Sequence, residues 1–468
     1  MPNDNSGLTT LYWVRNDLRV VDNQALVLAS SAKRLLPVYI LDPNMDSNSG
    51  WGFSRQGEHR KQFLLESLRD MDQALCALGS KLVVVRGNPV DVLGSLFEQY
   101  AIQHLIFEEE AGTEEIAYED SIADAAEAMG IKVTSIWGRT LVHADDLPMP
   151  LDSIPFVFTD FRKKVEKQWK VRPSFDTPST LPPLPDGCQH IGLNLDEEMQ
   201  VSKGIQGGTK AGLERIQAYL FDRDLLKSYK ETRNGLLGDW FSSKLSPWLS
   251  NGSLSPRMIY ESVRTYEHSR GANESTYWLI FELFWRDFFR FTMFQHGSAM
   301  FQKSGLNGHP ISSRHRPDWF EAWTKGMTGI PFIDSNMREL LQTGFMSNRG
   351  RQNVAAFAVH YLHLDWRACA YWFERQLIDY DVASNWGNWA YVAGVGNDPR
   401  VRFFNIVRQN KMYDPEASYI RHWIPEISTL ATDLLIEPWK RADKDLAYAI
   451  YPKPLIDLQT VLKQNSDL

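Results

Sequence analysis

A chain of 468 residues is too long for a single hydrophobic core, so two domains are the natural expectation. Its composition, 43% hydrophobic and 23% charged, is that of a folded globular protein, and no apolar run reaches membrane-spanning length. A net charge of −8 lacks the basic surplus usual in a dedicated duplex binder, so nucleic-acid contact must come from a local patch or be modest. The Met1–Gly7 stretch is short and carries an acid, which fits neither a secretory leader nor a transit peptide and leaves the cytoplasm as the expected location. Cys76, Cys188 and Cys369 are three and lie far apart, which excludes a four-cysteine cluster and argues against a disulfide framework. The 16 Trp, 17 Tyr and 24 Phe suit a large core, and equally a planar cofactor and stacked bases.

In chain order, short apolar runs predict strands at Leu11–Val14, Leu35–Leu41, Lys81–Arg86, His104–Phe107 and Lys132–Trp137. Helical spacing intervenes at Arg60–Leu78, Pro89–Tyr100 and Glu115–Met129. That alternation predicts a doubly wound parallel sheet covered by helices, with ligands at the carboxyl ends of its strands. No Gly-x-Gly-x-x-Gly follows the first strand and there is no Walker motif, which disfavours a simple dehydrogenase or P-loop enzyme. Prolines at 148, 150, 155, 173, 178, 182, 183 and 185 mark a long connector, and from Thr209 onward nearly everything reads as helix. The expected fold class is thus α/β plus all-α: an α/β domain over 1–138, a connector over 139–204 and a helical domain over 205–468.

Four segments of the helical half carry chemistry. Ser242-Ser243-Lys244-Leu245-Ser246-Pro247, followed by Ser255-Pro256-Arg257, offers hydroxyls and amides at helix starts, suited to an anion site or to helix caps. In Phe281–Phe289, helical spacing puts Glu282, Trp285, Arg286 and Phe289 on one face. An acid, an indole and a guanidinium make a poor core but a good cavity wall; the alternative is a partly exposed Glu282–Arg286 pair of little weight. Met346–Asn353 places Asn348, Arg351 and Gln352 together, and Asp379–Trp389 crowds Asp379, Asp381, Asn385, Trp386 and Trp389. Carboxylates, amides and indoles inside apolar helices are costly unless paired. Together the four segments suit the donors and acceptors of a flavin edge better than a polar core network.

Trp13-Val14-Arg15-Asn16-Asp17-Leu18-Arg19-Val20-Val21-Asp22-Asn23 resembles the opening signature of the photolyase/cryptochrome family, and Asn273–Phe291, Gly344–Asn353 and Asp379–Arg400 resemble its FAD-binding core. The wording of Gly344–Asn353, Ser384–Tyr391 and Asn405–Gln409 is similar to the DASH branch, and the resemblance spans essentially the whole chain. It implies a blue-light-absorbing protein with one bent FAD per chain in the helical domain. By motif, Tyr229, Ser242, Ser243, Lys244, Leu245 and Ser246 are implied to hold the pyrophosphate and ribityl region. Arg351 and Asp379 are implied to pair against the isoalloxazine, Asp381 to lie beside its polar edge, and Asn385 to sit opposite N5, where an amide can bond either N5 or N5–H. Glu282 and Trp285 are implied to line the cavity beneath a flipped-out lesion, with Arg286, Asn348, Gln352 and Tyr391 completing the cofactor and lesion contacts. The implied reaction passes an electron from excited, reduced FAD to a cyclobutane pyrimidine dimer, so the cofactor does the chemistry and the protein positions it. The lesion must leave the stack, most cheaply from a single strand.

Two departures from the family pattern sharpen this expectation. Gln352 and Tyr391 stand where ordinary dimer photolyases carry Met and Trp; each replacement removes roughly 1–3 kcal/mol of stacking or apolar contact and favours single-stranded over duplex substrate. The paired His of (6-4) photolyases correspond to Asn348 and Gln352, which argues against that activity. Trp389 and Trp366 match the proximal and middle members of the family's electron relay, whereas an ungapped count puts the third at Ser313. Trp386 offers a branch, and two steps suffice if Trp366 lies near the surface. A methenyltetrahydrofolate antenna is implied, with Glu115 the best match for its carboxylate contact. The expectation is therefore a photolyase-type lyase, a monomer with single-stranded, dimer-containing DNA as partner and no membrane or metal. The alternative is a blue-light photoreceptor with little repair activity, disfavoured because the chain ends soon after Tyr451–Pro454 without a long tail. A flavin electron carrier with no DNA role leaves Glu282 and Trp285 unexplained.

Overall fold

The structure, a computed structural model, describes residues 7–188, 192–200, 204–398, 403–440 and 450–464. Residues 1–6, read above for a leader, and Pro399 and Arg400 at the end of the last core motif lie outside the described residues. The chain packs as two compact units that interleave along the sequence. One comprises Met1–Lys227, Lys244–Gly297 and Asp379–Ala383, the other Ser228–Ser243, Ser298–Ile378 and Ser384–Leu468.

The first unit is built on β1 (Thr9–Val14), β2 (Arg34–Leu41), β3 (Val83–Arg86), β4 (His104–Glu108) and β5 (Lys132–Ile136), in the order β3-β2-β1-β4-β5. Every neighbouring pair is parallel. Successive side chains point to opposite faces, and both faces are covered, which is why the strands read as continuous apolar runs. Leu11, Trp13, Val38 and Phe107 enter one core cluster; Tyr12, Val14, Leu35 and Ile106 enter the other. Helices Glu58–Ala77, Pro89–Gln99 and Thr113–Ala128 lie where the periodicity predicts them. Asn88 starts the second by accepting from the Val90 amide at 2.9 Å.

Among the helices of this unit not foreseen are Gln24–Ala29 and Phe158–Val165. The second lies in the proline-marked stretch, where its short apolar stripe of Phe158, Phe161 and Val165 is masked by the surrounding breakers. The long Glu274–His296 helix also packs in this unit, because Asp287 accepts the Leu141 and Val142 amides at 3.0 and 2.9 Å. Burial pushes the Asp287 carboxyl up to about 7 in spite of those two donors.

The second unit is helical. Ser347 caps the Asn348–Ala356 helix by accepting from the Gly350 amide at 3.0 Å. A Cβ at Gly350 would sit 2.1 Å from the Asn336 side chain, so only glycine lets this helix press against Pro331–Thr343. Asp334 accepts the amides of Thr328 and Gly329 at 2.8 and 3.0 Å and the Tyr451 hydroxyl, tying the segment around Tyr451 to the start of the Pro331–Thr343 helix. Among the described residues, no helix is long and apolar enough to cross a membrane, and no cluster of His, Cys, Asp or Glu could hold a metal ion.

Candidate functional site

The carboxyl ends of β1, β4 and β5 carry a buried cluster of charges. Arg139, just after β5, places Nη1 2.6 Å from both carboxylate oxygens of Glu110, just after β4. Arg290 adds a contact at 3.2 Å and Asn16 one at 2.7 Å. Burial works against the Glu110 charge, but Arg139, Arg290 and Arg15 outweigh it and hold the carboxyl well below its usual range. Burial pushes Glu108 up to about 7, although Arg19, at 3.5 Å, and the more distant Arg139 oppose it. A Cβ at Gly138 would lie 1.8 Å from the Glu108 carboxylate, so the glycine makes room for it.

This cluster reaches two of the residues singled out from sequence. Arg139 approaches the Asp381 carboxylate at 3.4 Å and Arg286 approaches it at 3.7 Å. Arg286 spends its remaining hydrogen bonds on the carbonyls of Leu249, at 3.2 Å, and of Arg139. The Glu282–Arg286 pair allowed by spacing therefore does not form: the guanidinium turns to Asp381 and main chain. Burial lowers the Arg286 guanidinium to about 10, with Asp381 opposing, so it stays charged at neutral pH. Arg139 escaped the sequence reading, although its position directly after a strand of a parallel sheet was an available signal.

In the same unit Ser246 donates to Asp379 at 2.6 Å, while Lys244 adopts a left-handed φ of 51°, uncommon for a residue with a side chain. Ser255 and Arg257 are spent structurally. Ser255 caps the Pro256–Arg270 helix by accepting from Met258 at 3.1 Å, and Arg257 pairs with Asp22 at 2.7 Å. Of the two readings of that segment, capping is what Ser255 does.

Trp285 and Glu282 lie one helical turn apart, both half-buried. The Trp285 ring stacks on Phe158, with centroids 3.6 Å apart and planes at 13°, and Phe288 and Phe289 border it at 5.9 and 5.5 Å. Phe158 belongs to the unforeseen helix, so no local pattern announced this support. Glu115 stands in the first turn of the Thr113–Ala128 helix. Burial raises its carboxyl, with Glu110 adding to the effect.

In the second unit Asn385 is 8% exposed, and its Nδ2 donates to the Ala370 carbonyl at 3.1 Å. Its Oδ1 accepts nothing from the described residues. Asn348 opens its helix with an exposed side chain, and Gln352 accepts from Arg349 at 2.8 Å. Arg351 donates to the Met346 carbonyl at 2.9 Å and lies over Phe345. Tyr229 and Ser243 are buried, Ser242 and Tyr391 half-buried.

The aromatic relay differs from its expected form. Trp366 is 0% exposed, its indole N–H donating to the Lys303 carbonyl at 3.2 Å. Its ring therefore has no contact with solvent of its own. Its ring neighbour is Trp386, at 5.7 Å, whereas the ring neighbours of Trp389 are Trp323 at 6.2 Å and Phe373 at 5.0 Å.

Residues 278–468 match the family model described as the FAD binding domain of DNA photolyase, and residues 10–184 the one described as DNA photolyase. The chain is 46% identical to cryptochrome DASH of Gloeobacter violaceus, over 96% of this chain and 93% of that protein. It is 43% identical to cryptochrome DASH of Xenopus laevis, over 95% and 88%. The crystal structure of a Synechocystis cryptochrome superposes with a TM-score of 0.93 at 41% identity, covering 99% of each chain. A class III photolyase from Agrobacterium tumefaciens gives 0.84 at 25% identity over 99% and 97%. A parallel five-stranded sheet ahead of a helical FAD-binding region, with identity this high over nearly the full length, leads to one conclusion: the chain belongs to the photolyase/cryptochrome family, in its DASH branch.

Proposed function

We propose that this protein repairs cyclobutane pyrimidine dimers in single-stranded DNA. The observation that carries this reading is Trp285, whose ring plane is set by the Phe158 stack at 3.6 Å while the indole stays partly exposed, one turn from Glu282. An indole so held can stack on an extruded pyrimidine while the carboxylate accepts the base's N–H groups; base stacking of this kind contributes about 1–3 kcal/mol. Bound, reduced FAD supplies light absorption and the transferred electron. Tyr229, Ser242, Ser243, Lys244, Leu245 and Ser246 hold its pyrophosphate and ribityl region, and Arg351, Asp379 and Asp381 attend the isoalloxazine. The donor set fits a flavin: with Nδ2 tied to Ala370, the Oδ1 of Asn385 is suited to accept a hydrogen bond that a flavin N5–H donates. Gln352, Asn348 and Tyr391 border the lesion. Methenyltetrahydrofolate, contacted by Glu115, serves as antenna, and the protein works as a cytoplasmic monomer.

A basic patch supports the nucleic-acid partner in a chain whose net charge is −8. Lys163, Lys164, Lys167 and Lys170 are all exposed on and just after the helix that bears Phe158, and none makes an ion pair among the described residues. Unpaired lysines in such a row suit phosphates, which position a strand without reading it. Changing all four to Gln is expected to flatten the salt dependence of single-strand binding by about 0.7 in log–log slope for each phosphate no longer held. FAD content should not change. An unaltered slope would place the strand elsewhere.

The function is tested by illuminating the reduced protein with dimer-containing single-stranded and duplex oligonucleotides and counting restored thymines. Recovery faster on the single strand is expected. Retained FAD with no recovery on either would sink the repair reading and favour the photoreceptor.

A further inference from the structure

In the second unit, Trp366 is wholly buried and Trp386 is 2% exposed, so an electron vacancy on either indole does not reach solvent through those two rings alone. The next ring is Tyr371. Its centroid lies 5.1 Å from that of Trp386 with planes at 87°, and Trp386 lies 5.7 Å from Trp366. Tyr371 stands on the Trp366–Gln376 helix and is partly exposed. The other described contacts lead to phenylalanine rings, which are hard to oxidise. From Trp389 the contacts lead through Trp323 to Phe320 and Phe373, and Phe301 beside Trp386 is likewise phenylalanine. Ser313, where a third Trp was expected, has no oxidisable ring. Among the described rings that border Trp386, Tyr371 alone combines an oxidisable side chain with access to water.

We propose that Tyr371 is the terminal electron donor for photoreduction in this protein, reached from Trp366 through Trp386. The proposal rests on the flavin reading above, with light-excited flavin as the oxidant at the inner end. Tunnelling falls steeply with distance, so two short hops between touching rings outrun one long transfer from solvent. At the outer end, one electron passes from the Tyr371 phenol to the oxidised Trp386 indole, which returns to its neutral closed shell. The phenolic O–H bond breaks, its proton goes to water, and Tyr371 is left as a neutral phenoxyl radical. A soluble thiol returns one electron and one proton to the phenoxyl, and two thiols oxidised in this way pair as a disulfide.

The experiment illuminates FAD-loaded wild type, Tyr371→Phe, Tyr371→Trp and Trp386→Phe proteins with blue light. Radicals are read by freeze-quench electron paramagnetic resonance, and spin-trap adducts are mapped by mass spectrometry. The wild type should give a tyrosyl signal and an adduct on the peptide that contains Tyr371. Tyr371→Phe and Trp386→Phe should lose both and slow thiol-dependent photoreduction several-fold, at unchanged FAD content. Tyr371→Trp should recover the rate with an indolyl signal instead. A wild type that photoreduces without a tyrosyl signal, or an unslowed Tyr371→Phe, overturns the proposal and leaves the flavin reading standing. A wild type that binds no flavin, or does not photoreduce at all, overturns both.

Discussion

Arg139→Ala is expected to destabilise the protein by about 3–5 kcal/mol, because it strands a buried carboxylate rather than removing a surface pair. Glu110 is 1% exposed, and without Arg139 its charge keeps Arg290, at 3.2 Å, the Asn16 amide, at 2.7 Å, and the more distant Arg15. Asp381 is deprived of its 3.4 Å partner by the same substitution. Substituting both members, Arg139→Met with Glu110→Leu, should recover part of the loss, since no bare charge is then left buried. Recovery stays partial because the Asn16 amide and the Nη1 of Arg290 still lose the acceptor that Glu110 provided. The pH dependence has a definite sign. The arginines hold the Glu110 carboxyl below its unfolded value, so its charge stabilises the fold at neutral pH and that contribution is lost as pH falls through the acid range. Without Arg139 the carboxyl is released upward, so the deficit should be largest near neutrality and shrink toward about pH 4. Urea unfolding of the three proteins at several pH values measures this. A loss under about 1 kcal/mol would mean that Arg290 alone compensates the charge.

Trp285→Ala should weaken binding of dimer-containing single strands by about 1–3 kcal/mol, roughly 5- to 150-fold, the range for removal of one stacked ring. It should also cost about 0.5–1.5 kcal/mol of stability from the Phe158 stack, without stripping FAD. Phe158→Ala is the informative control. It leaves the indole in place and removes the ring 3.6 Å behind it, so its effect on affinity should be smaller and come from a loosened Trp285. Binding isotherms and flavin absorbance decide both. Equal loss of FAD and of binding in Trp285→Ala would show a structural side chain rather than a stacking surface.

The five strands of the first unit, the Glu58–Ala77, Pro89–Gln99 and Thr113–Ala128 helices between them, and the family were legible in the amino-acid order alone. Five apolar runs with helical spacing between them are local patterns, complete within a few residues, and a parallel sheet buried on both faces follows from them. The wording around Trp13, Gly344 and Ser384 is equally local, and so is the nomination of Glu282, Trp285, Asn385 and Asp381. Partners and depth, by contrast, emerged only from tertiary packing. Arg139 meets Glu110 across 29 residues and Asp381 across 242, distances over which no periodicity carries information. Arg286 turns from the neighbour that its spacing allowed, because a buried guanidinium goes to whichever acceptors can satisfy it. Phe158 reaches Trp285 from a stretch that prolines disguise as connector. Trp366 is sealed and Tyr371 is not, though both lie on one short helix, because burial is set by what packs against each face rather than by the helix itself.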